Sequence, residues 1–405
     1  MKVIKLFIIF VLLSAAAFAQ KAPYTILISF DGFRWDYSNR GITPNLDTLK
    51  MRGVAALSLR PSYPSITFPN HYSIISGAYP EHHGILLNEF TTPVGETYYL
   101  KDTVSTRDNK WYKQEAFWTT ARKRGIITAS YYWPGSEVKD SALHPDYYFP
   151  YNHTEPHKNK TNQVIKWLSE PLKERPEFIC LYFHDTDTYG HMYGPDSPEL
   201  NKTVMQLDSV IGTLTSGLKK IGMMDSVNII LVSDHGMAEV YQDKTVNIEQ
   251  FIDGEKYRLD SDGPLMFVYT EGENIQKVYD KLKKNENHYK VYTKDNMPPH
   301  FHFTADENIP QILVVAEPHW ILTNNSSPKN MIEKYGKGKH GYEKDWLDMH
   351  GTFIAAGPSF KENYKTGTVW NVDIYPLLCK IFNIPVDHKI DGDIDRIRFI
   401  LKDEN

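Results

Sequence analysis

The sequence predicts an α/β fold: a doubly wound, mostly parallel central sheet with helices on both faces. Short apolar runs typical of buried strands alternate with helical patterns along the chain, the order that crossover helices between parallel strands produce. Several of these runs are followed at once by polar residues, as happens where sites assemble at the carboxyl ends of parallel strands. The 405 residues, 41% of them hydrophobic, suffice for one large core.

The elements of the predicted sheet can be placed in order along the chain. A helix over 44–53 is expected to end at Gly53, and another is expected to begin near Phe68, where Pro69 suits a first helical turn. The other predicted elements are the strands 24–30, 126–133, 177–183, 227–233 and 352–357 and the helices 117–125, 161–172, 197–222 and 372–382.

The stretch from about 243 to 339 differs from the rest, because it is more polar and breaks the alternation of strands and helices. We predict that it is an insertion that caps the main sheet. The mature chain, 20–405, is then a single catalytic domain that carries this insertion.

Residues 1–19 are predicted to be a signal peptide. Lys2 and Lys5 precede an apolar stretch, and residues 17–19, Ala-Phe-Ala, fit a cleavage site before Gln20. The apolar stretch is short for a membrane-spanning helix, which needs ~20 residues, although an uncleaved anchor is the alternative. No other stretch of the sequence is apolar for long enough, so no stable membrane insertion is expected.

Cysteine content and net charge limit the cellular setting. Only Cys180 and Cys379 are present, so an exported protein of this size has no disulfide framework, which favours a bacterial protein, periplasmic or secreted. A formal net charge of −5 gives no support for binding a nucleic-acid duplex, whose phosphates attract basic surfaces.

Carboxylates and imidazoles follow three of the predicted strands, so the edge of the sheet would gather them. Within one of these segments, Gly190 favours a bent loop that lets two side chains converge. The residues are Asp31 after strand 24–30, Asp187 and His191 after strand 177–183, and Asp234 and His235 after strand 227–233.

A later histidine would complete this donor set, and spacing does not decide which one. His340 and His350 are each followed by glycine. Mixed imidazole and carboxylate donors suit zinc, whereas magnesium prefers an oxygen-only shell. The number of donors is sufficient for two metal ions, which can clamp the attacking and leaving oxygens of a phosphoryl transfer.

Thr67 is the candidate nucleophile. Its hydroxyl is weak until metal coordination lowers its pKa, and a helix that begins just after it would aim free N–H groups at a phosphate. Taken alone, Thr67 would be an ordinary helix N-cap, so the assignment depends on the donors around it.

Six segments together resemble the nucleotide pyrophosphatase/phosphodiesterase family, which belongs to the alkaline phosphatase superfamily. The resemblance runs in order through nearly the whole mature chain. It implies an alkaline phosphatase-like fold and two zinc ions. The segments are ISFDGFRWDY (28–37), PSITFPNHYSIISGAYPEHHGILLN (64–88), YYWPGSEV (131–138), DTYGHMYGP (187–195), VSDHGM (232–237) and KHGYEKDWLDMHGTFIAAGPSF (339–360).

The resemblance also assigns roles to individual residues. The final ligand of the family lies in a His-Gly-Tyr motif, which selects His340 over His350. Asn88 matches an asparagine that binds a phosphate oxygen in the family. Tyr151 has the spacing at which nucleotide-cleaving members place a base-stacking tyrosine, and Phe68, directly after the nucleophile, could face it across the base; core packing is the alternative for both aromatic residues. One zinc ion is expected on Asp31, Thr67, Asp234 and His235, and the other on Asp187, His191 and His340.

The expected function is that of a secreted phosphodiesterase that releases nucleoside 5′-monophosphates through a threonine-linked intermediate. Its substrate would be a small nucleotide or another phosphodiester. Ile66 differs from the lysine that precedes the nucleophile in some members, which leaves affinity for terminal phosphates open. The alternatives are a phosphodiesterase of choline or lipid head groups, a phosphomonoesterase, and a non-catalytic metal-binding protein.

Overall fold

The computed structural model describes residues 23–261, 263–328 and 336–402. The predicted signal peptide, 1–19, lies outside these ranges. Within them, no helix combines the length and the apolar character needed to cross a membrane.

Strands and helices alternate through the first half of the described chain. The strands are β1 Tyr24–Phe30, β2 Gly53–Ala56, β3 Leu59–Arg60, β4 Glu89–Thr91, β5 Thr97–Tyr99, β6 Thr128–Tyr131, β7 Tyr147–Phe149, β8 Phe178–Phe183, β9 Val227–Val232, β10 Ala238–Glu239, β11 Thr245–Asn247, β12 Arg258–Asp260, β13 Leu265–Tyr269, β14 Tyr289–Thr293, β15 Ile312–Ala316, β16 Ile321–Thr323, β17 Gly338–Lys339, β18 Phe353–Ala356, β19 Tyr364–Thr366 and β20 Val369–Trp370. The α-helices are α1 Pro44–Met51, α2 Thr67–Ser76, α3 Pro80–His83, α4 Thr103–Arg107, α5 Phe117–Arg122, α6 His157–Ser169, α7 Asp185–Tyr193, α8 Pro198–Lys220, α9 Asn274–Lys284 and α10 Ile374–Ile381.

Among the described residues, eight strands form the central sheet, in the order β19-β2-β18-β9-β1-β8-β6-β7. β1 pairs in parallel with β8 and with β9, so Ile26 lies between Ile179 and Ile229. Only β18 runs against its neighbours, β2 and β9. All seven residues of β1 are buried, as is usual where helices cover both faces of a parallel sheet. The predicted fold class is confirmed.

Each face of the sheet has its own apolar core, because alternate strand residues point to opposite faces. Leu27 and Ile230 pack on the side of α2, α5 and α10. Ile28 and Leu231 pack on the side of α1, α6 and α8. The site at the carboxyl edge of the sheet is therefore supported from both sides.

A second sheet lies within the stretch predicted to be an insertion. It is antiparallel, in the order β12-β13-β15-β14, and α9 packs on it through Val278 and Leu282. β10 pairs with β17, so Glu239 lies opposite Gly338. This pairing joins the two ends of the stretch beside the carboxyl end of β9. The division of the chain into domains stays a prediction.

Gly53 differs from its predicted role as the end of a helix. α1 ends at Met51, and Gly53 begins β2. A Cβ atom at this position would lie 2.1 Å from the carbonyl oxygen of Ala355, so the close approach of β18 requires glycine here.

Candidate active site

Three buried residues form the first group of donors. Asp31 follows β1, and Asp234 and His235 follow β9, so the parallel pairing of these strands brings them together. The His235 Nε2 atom lies 3.4 Å from Asp31 Oδ1 and 3.1 Å from Asp234 Oδ2. This group matches the predicted donors of one metal ion.

The second group combines a helix with the end of β17. Asp187 and His191 lie one turn apart on α7, and His340 follows β17. The Nε2 atoms of His191 and His340 lie 3.2 Å and 3.4 Å from Asp187 Oδ1. The predicted bent loop at Gly190 is wrong: this glycine is helical, and a Cβ there would lie 3.0 Å from Met237 Cε.

The two groups are neighbours. The rings of His235 and His340 stack with centroids 3.6 Å apart and an interplanar angle of 11°. His350, the rival of His340, joins neither group, since its Nδ1 atom is 2.8 Å from Ser58 Oγ. The structure thus brings together the donors that the resemblance implies.

The hydrogen bonds of the three imidazoles fix how they face the site. Each Nδ1 atom lies beside a backbone carbonyl, which can only accept a hydrogen bond. Each Nδ1 therefore carries a proton, and in the neutral imidazole this leaves Nε2, the atom that faces the carboxylates, free to bind a metal ion, the arrangement of metal-binding histidines. The bonds run from His191 to Gly338 O at 2.8 Å, from His235 to Gly236 O at 2.8 Å and from His340 to Ser65 O at 3.0 Å.

Carboxylate oxygens in this site lack donors. Asp31 Oδ1, Asp187 Oδ1 and Asp234 Oδ2 are buried and have no hydrogen-bond partner in the described part of the chain. Buried polar atoms are almost always paired, yet these oxygens face the acceptor nitrogens of imidazoles. Cations between the two sets of lone pairs would satisfy both, so the residues present fit metal ions with mixed nitrogen and oxygen ligands.

The electrostatics of the site follow from crowded negative charge. Burial, and then Asp234 and Asp187, raise the pKa of Asp31 well above its usual value. Burial opposes ionisation of Asp187 too, but His191 and His340 hold its pKa well below the usual value. Burial and the neighbouring His235 lower the pKa of His340 to about 4, which keeps this imidazole neutral and able to bind a metal ion.

Thr67 is the first residue of α2 and is 8% exposed. Its Oγ1 atom lies 3.2 Å from His235 Nε2, beside the first donor group. The next residue, Phe68, donates its backbone N–H to Asn88 Oδ1 at 2.9 Å. Since that bond occupies the amide oxygen, the amide nitrogen of Asn88 is the atom left to donate to a ligand.

Two residues that support the site were not predicted to do so. The Tyr182 hydroxyl, on β8, donates to Asp31 Oδ2 at 2.5 Å. His71 is buried, with Nδ1 2.9 Å from Thr67 O and 3.3 Å from Asp234 Oδ2. Its position one turn after Thr67 is the only sequence signal that could have indicated this contact.

Two cavities open beside the donors. A cavity of about 1000 Å³ is lined by Thr67, Asn88, Phe68 and Tyr151. Tyr151 is 45% exposed. A smaller cavity of about 520 Å³ is lined by Asn88 and His340, together with the apolar Ile66. A substrate in the larger cavity can therefore reach the Thr67 hydroxyl.

Comparison with known proteins places this fold and site in a class of metal-dependent hydrolases. The sequence model of the family described as Type I phosphodiesterase / nucleotide pyrophosphatase matches residues 25–343. The chain therefore belongs to the Type I phosphodiesterase/nucleotide pyrophosphatase family.

Named relatives agree. Over 90% of this chain, it is 34% identical to the human ectonucleotide pyrophosphatase/phosphodiesterase family member 1, of which the match spans only 40%. It is also 34% identical to the bis(5′-adenosyl)-triphosphatase enpp4 of Xenopus laevis, over 90% of this chain and 79% of that protein.

Solved structures are similar as well. Human ectonucleotide pyrophosphatase/phosphodiesterase 5 superposes with a TM-score of 0.87 at 29% identity, covering 94% of this chain and 100% of that one. An inactive variant of the murine protein, in complex with AMP, gives the same TM-score at 28% identity and the same coverage.

Proposed function

We propose that the chain is a two-zinc nucleotide pyrophosphatase/phosphodiesterase that releases nucleoside 5′-monophosphates through an intermediate linked to Thr67. The proposal rests on the position of the Thr67 hydroxyl, which lies beside a donor group and on a cavity wall. It lies at the start of α2, 3.2 Å from His235 Nε2 and on the wall of the larger cavity. A nucleophile is expected where an activating group and a substrate cavity meet.

The two donor groups would hold the metal ions. When bound, zinc would act as a Lewis acid on the phosphoryl oxygens and lower the pKa of the Thr67 hydroxyl. The first ion is assigned to Asp31, Thr67, Asp234 and His235, and the second to Asp187, His191 and His340.

The remaining residues bind and orient. The amide nitrogen of Asn88 would donate to a phosphate oxygen, because its Oδ1 atom already accepts the Phe68 N–H. Backbone N–H groups at the start of α2 favour the same anion. Tyr182 fixes the orientation of Asp31 through the bond from its hydroxyl.

A nucleotide is the proposed substrate. The murine relative was solved with AMP, and the Xenopus relative is named for cleavage of a bis(5′-adenosyl) compound. Phe68 and Tyr151 line one cavity, and we propose that they stack on the base from opposite sides. Stacking of this kind contributes about 1–3 kcal/mol per base.

A substrate panel on the purified chain tests the proposal. ATP and dinucleotides should be cleaved to nucleoside 5′-monophosphates, while a phosphomonoester and glycerophosphocholine should not. Preference for glycerophosphocholine would favour a head-group phosphodiesterase, and preference for the monoester would favour a phosphomonoesterase. Metal binding without turnover of any substrate would leave a non-catalytic binding protein.

Base recognition has its own test. Tyr151→Ala should lower kcat/KM roughly ten- to hundredfold for a nucleotide ester and leave bis-nitrophenyl phosphate, which has no base, unaffected. Equal losses on both substrates would mean that Tyr151 has a structural role.

We also propose that the protein is exported to the periplasm or secreted. The positive start, apolar stretch and cleavage motif of residues 1–19 support this. Amino-terminal sequencing of the protein from its native host should begin at Gln20. A sequence beginning at residue 1 or 2 would contradict cleavage.

A further inference from the structure

Two histidines whose rings are in contact line the larger cavity beside Tyr151. The rings of His153 and His184 have centroids 3.9 Å apart at an interplanar angle of 32°, and both residues contribute to the cavity wall. Neither belongs to a donor group. They therefore lie next to the ring that is proposed to stack on the base and outside the metal-binding residues.

Few contacts of its own restrain the orientation of the Tyr151 ring. It is 45% exposed, and its ring contacts Tyr132 and Tyr182 only at centroid distances of 5.2 Å and 6.2 Å. The tip of the side chain is held by His153, whose Nδ1 atom lies 3.1 Å from the Tyr151 hydroxyl. This bond restrains rotation of an otherwise exposed ring.

His184 connects this bond to the central sheet. It directly follows β8, whose six residues are all buried. Its Nδ1 atom is buried and has no hydrogen-bond partner among the residues that the structure describes. Its ring packs against His153, so a chain of contacts runs from β8 through both imidazoles to the Tyr151 hydroxyl.

We propose that His153 and His184 are positioning residues that hold the Tyr151 ring in the orientation that stacks on the nucleotide base. The inference rests on the proposed function, since it needs a base against Tyr151. A ring fixed before binding avoids the entropy loss of immobilising one side chain. We therefore expect roughly a two- to tenfold gain in affinity.

A double-mutant cycle tests the proposal on the full chain. His153→Phe keeps a ring that can pack against His184 but loses the bond to the hydroxyl, and Tyr151→Phe loses the same bond from the other side. Each should raise KM for a nucleotide nitrophenyl ester, and weaken AMP binding in calorimetry, roughly two- to tenfold. The double variant should be no worse than either single variant, because both remove one interaction.

Two readouts separate positioning from a general structural effect. The kcat for the nucleotide ester and the rate on bis-nitrophenyl phosphate should stay unchanged in His153→Phe. His184→Ala should raise KM in the same direction. His144→Ala is the matched control, because His144 also packs on a tyrosine, Tyr148, at 4.7 Å but lines neither cavity; it should leave KM unchanged.

The outcomes distinguish this inference from the proposed function. Additive losses in the double variant, or an unchanged KM in His153→Phe, would overturn the positioning role while leaving nucleotide cleavage intact. If Tyr151→Ala leaves AMP affinity unchanged, the base does not contact Tyr151, and the proposed base site fails together with the inference.

Discussion

Removal of the Tyr182 hydroxyl should weaken zinc binding without disturbing the fold. The hydroxyl is buried and donates to Asp31 Oδ2 at 2.5 Å, whereas Asp31 Oδ1 faces His235. Tyr182→Phe keeps the ring and its packing, so only this bond is lost. Hydrogen bonds to charged groups contribute about 1.5–3 kcal/mol, and loss of a group that orients a metal ligand typically costs 10- to 100-fold in metal affinity.

Competition with a chromophoric zinc chelator measures this loss directly. Tyr182→Phe should bind the zinc ion assigned to Asp31 about 10- to 100-fold less tightly than the unmodified chain. Tyr375→Phe is the control, because its buried hydroxyl bonds Thr120 Oγ1 at 2.9 Å and lies outside both donor groups. Equal zinc affinity in the two variants would refute a role for Tyr182 in holding Asp31.

Substitutions at three further places probe the nucleophile, the last ligand and a buried charge. Thr67→Ala should retain zinc, measured by elemental analysis, and lose turnover by orders of magnitude. Thr67→Ser should keep part of the turnover. A near-normal rate in Thr67→Ala would contradict the covalent route. His340→Ala should lose zinc and activity together, while zinc loss in His350→Ala instead would reverse the assignment. Burial lowers the pKa of Lys160 to about 8 from a usual 10.5, so the unfolded chain binds more protons between these values and stability should rise with pH there. Lys160→Met should abolish that rise in urea unfolding and add up to about 3 kcal/mol at pH 7; parallel pH curves for the two proteins would contradict the buried charge.

The strands and the donors that follow them could be predicted because both depend on local pattern. A parallel strand buried on both faces has a mostly apolar sequence, and the polar residues that follow it lie at the carboxyl edge. Asp31 and Asp234 fall in this position, and the structure places them together. Their proximity follows from strand pairing rather than from any further detail of the chain.

His340 could not be separated from His350 by pattern alone. What places it is the pairing of β10 with β17, which carries the end of the inserted stretch back to β9. A two-residue strand pair of this kind leaves almost no periodic signal in the sequence. The resemblance supplied this residue, and the structure shows how the chain brings it to the site.

The residues that support the site could not be predicted from the sequence for a different reason. Tyr182 lies in a buried apolar strand, where its sequence context indicates packing and gives no sign of a bond to a carboxylate 151 positions away. Gly190 led to a wrong prediction, because glycine is typical of bent loops. In the structure this glycine is helical, and its small size allows close contact with Met237.

Stereochemistry at phosphorus tests the role of Thr67 most directly, and it needs no variant. A nucleoside phosphorothioate diester of defined configuration can be hydrolysed by the purified zinc-loaded protein in isotopically labelled water. Two successive in-line displacements, through Thr67 and then water, predict net retention of configuration in the nucleoside phosphorothioate product. Net inversion would mean that water attacks the substrate directly, and it would contradict a threonine-linked intermediate.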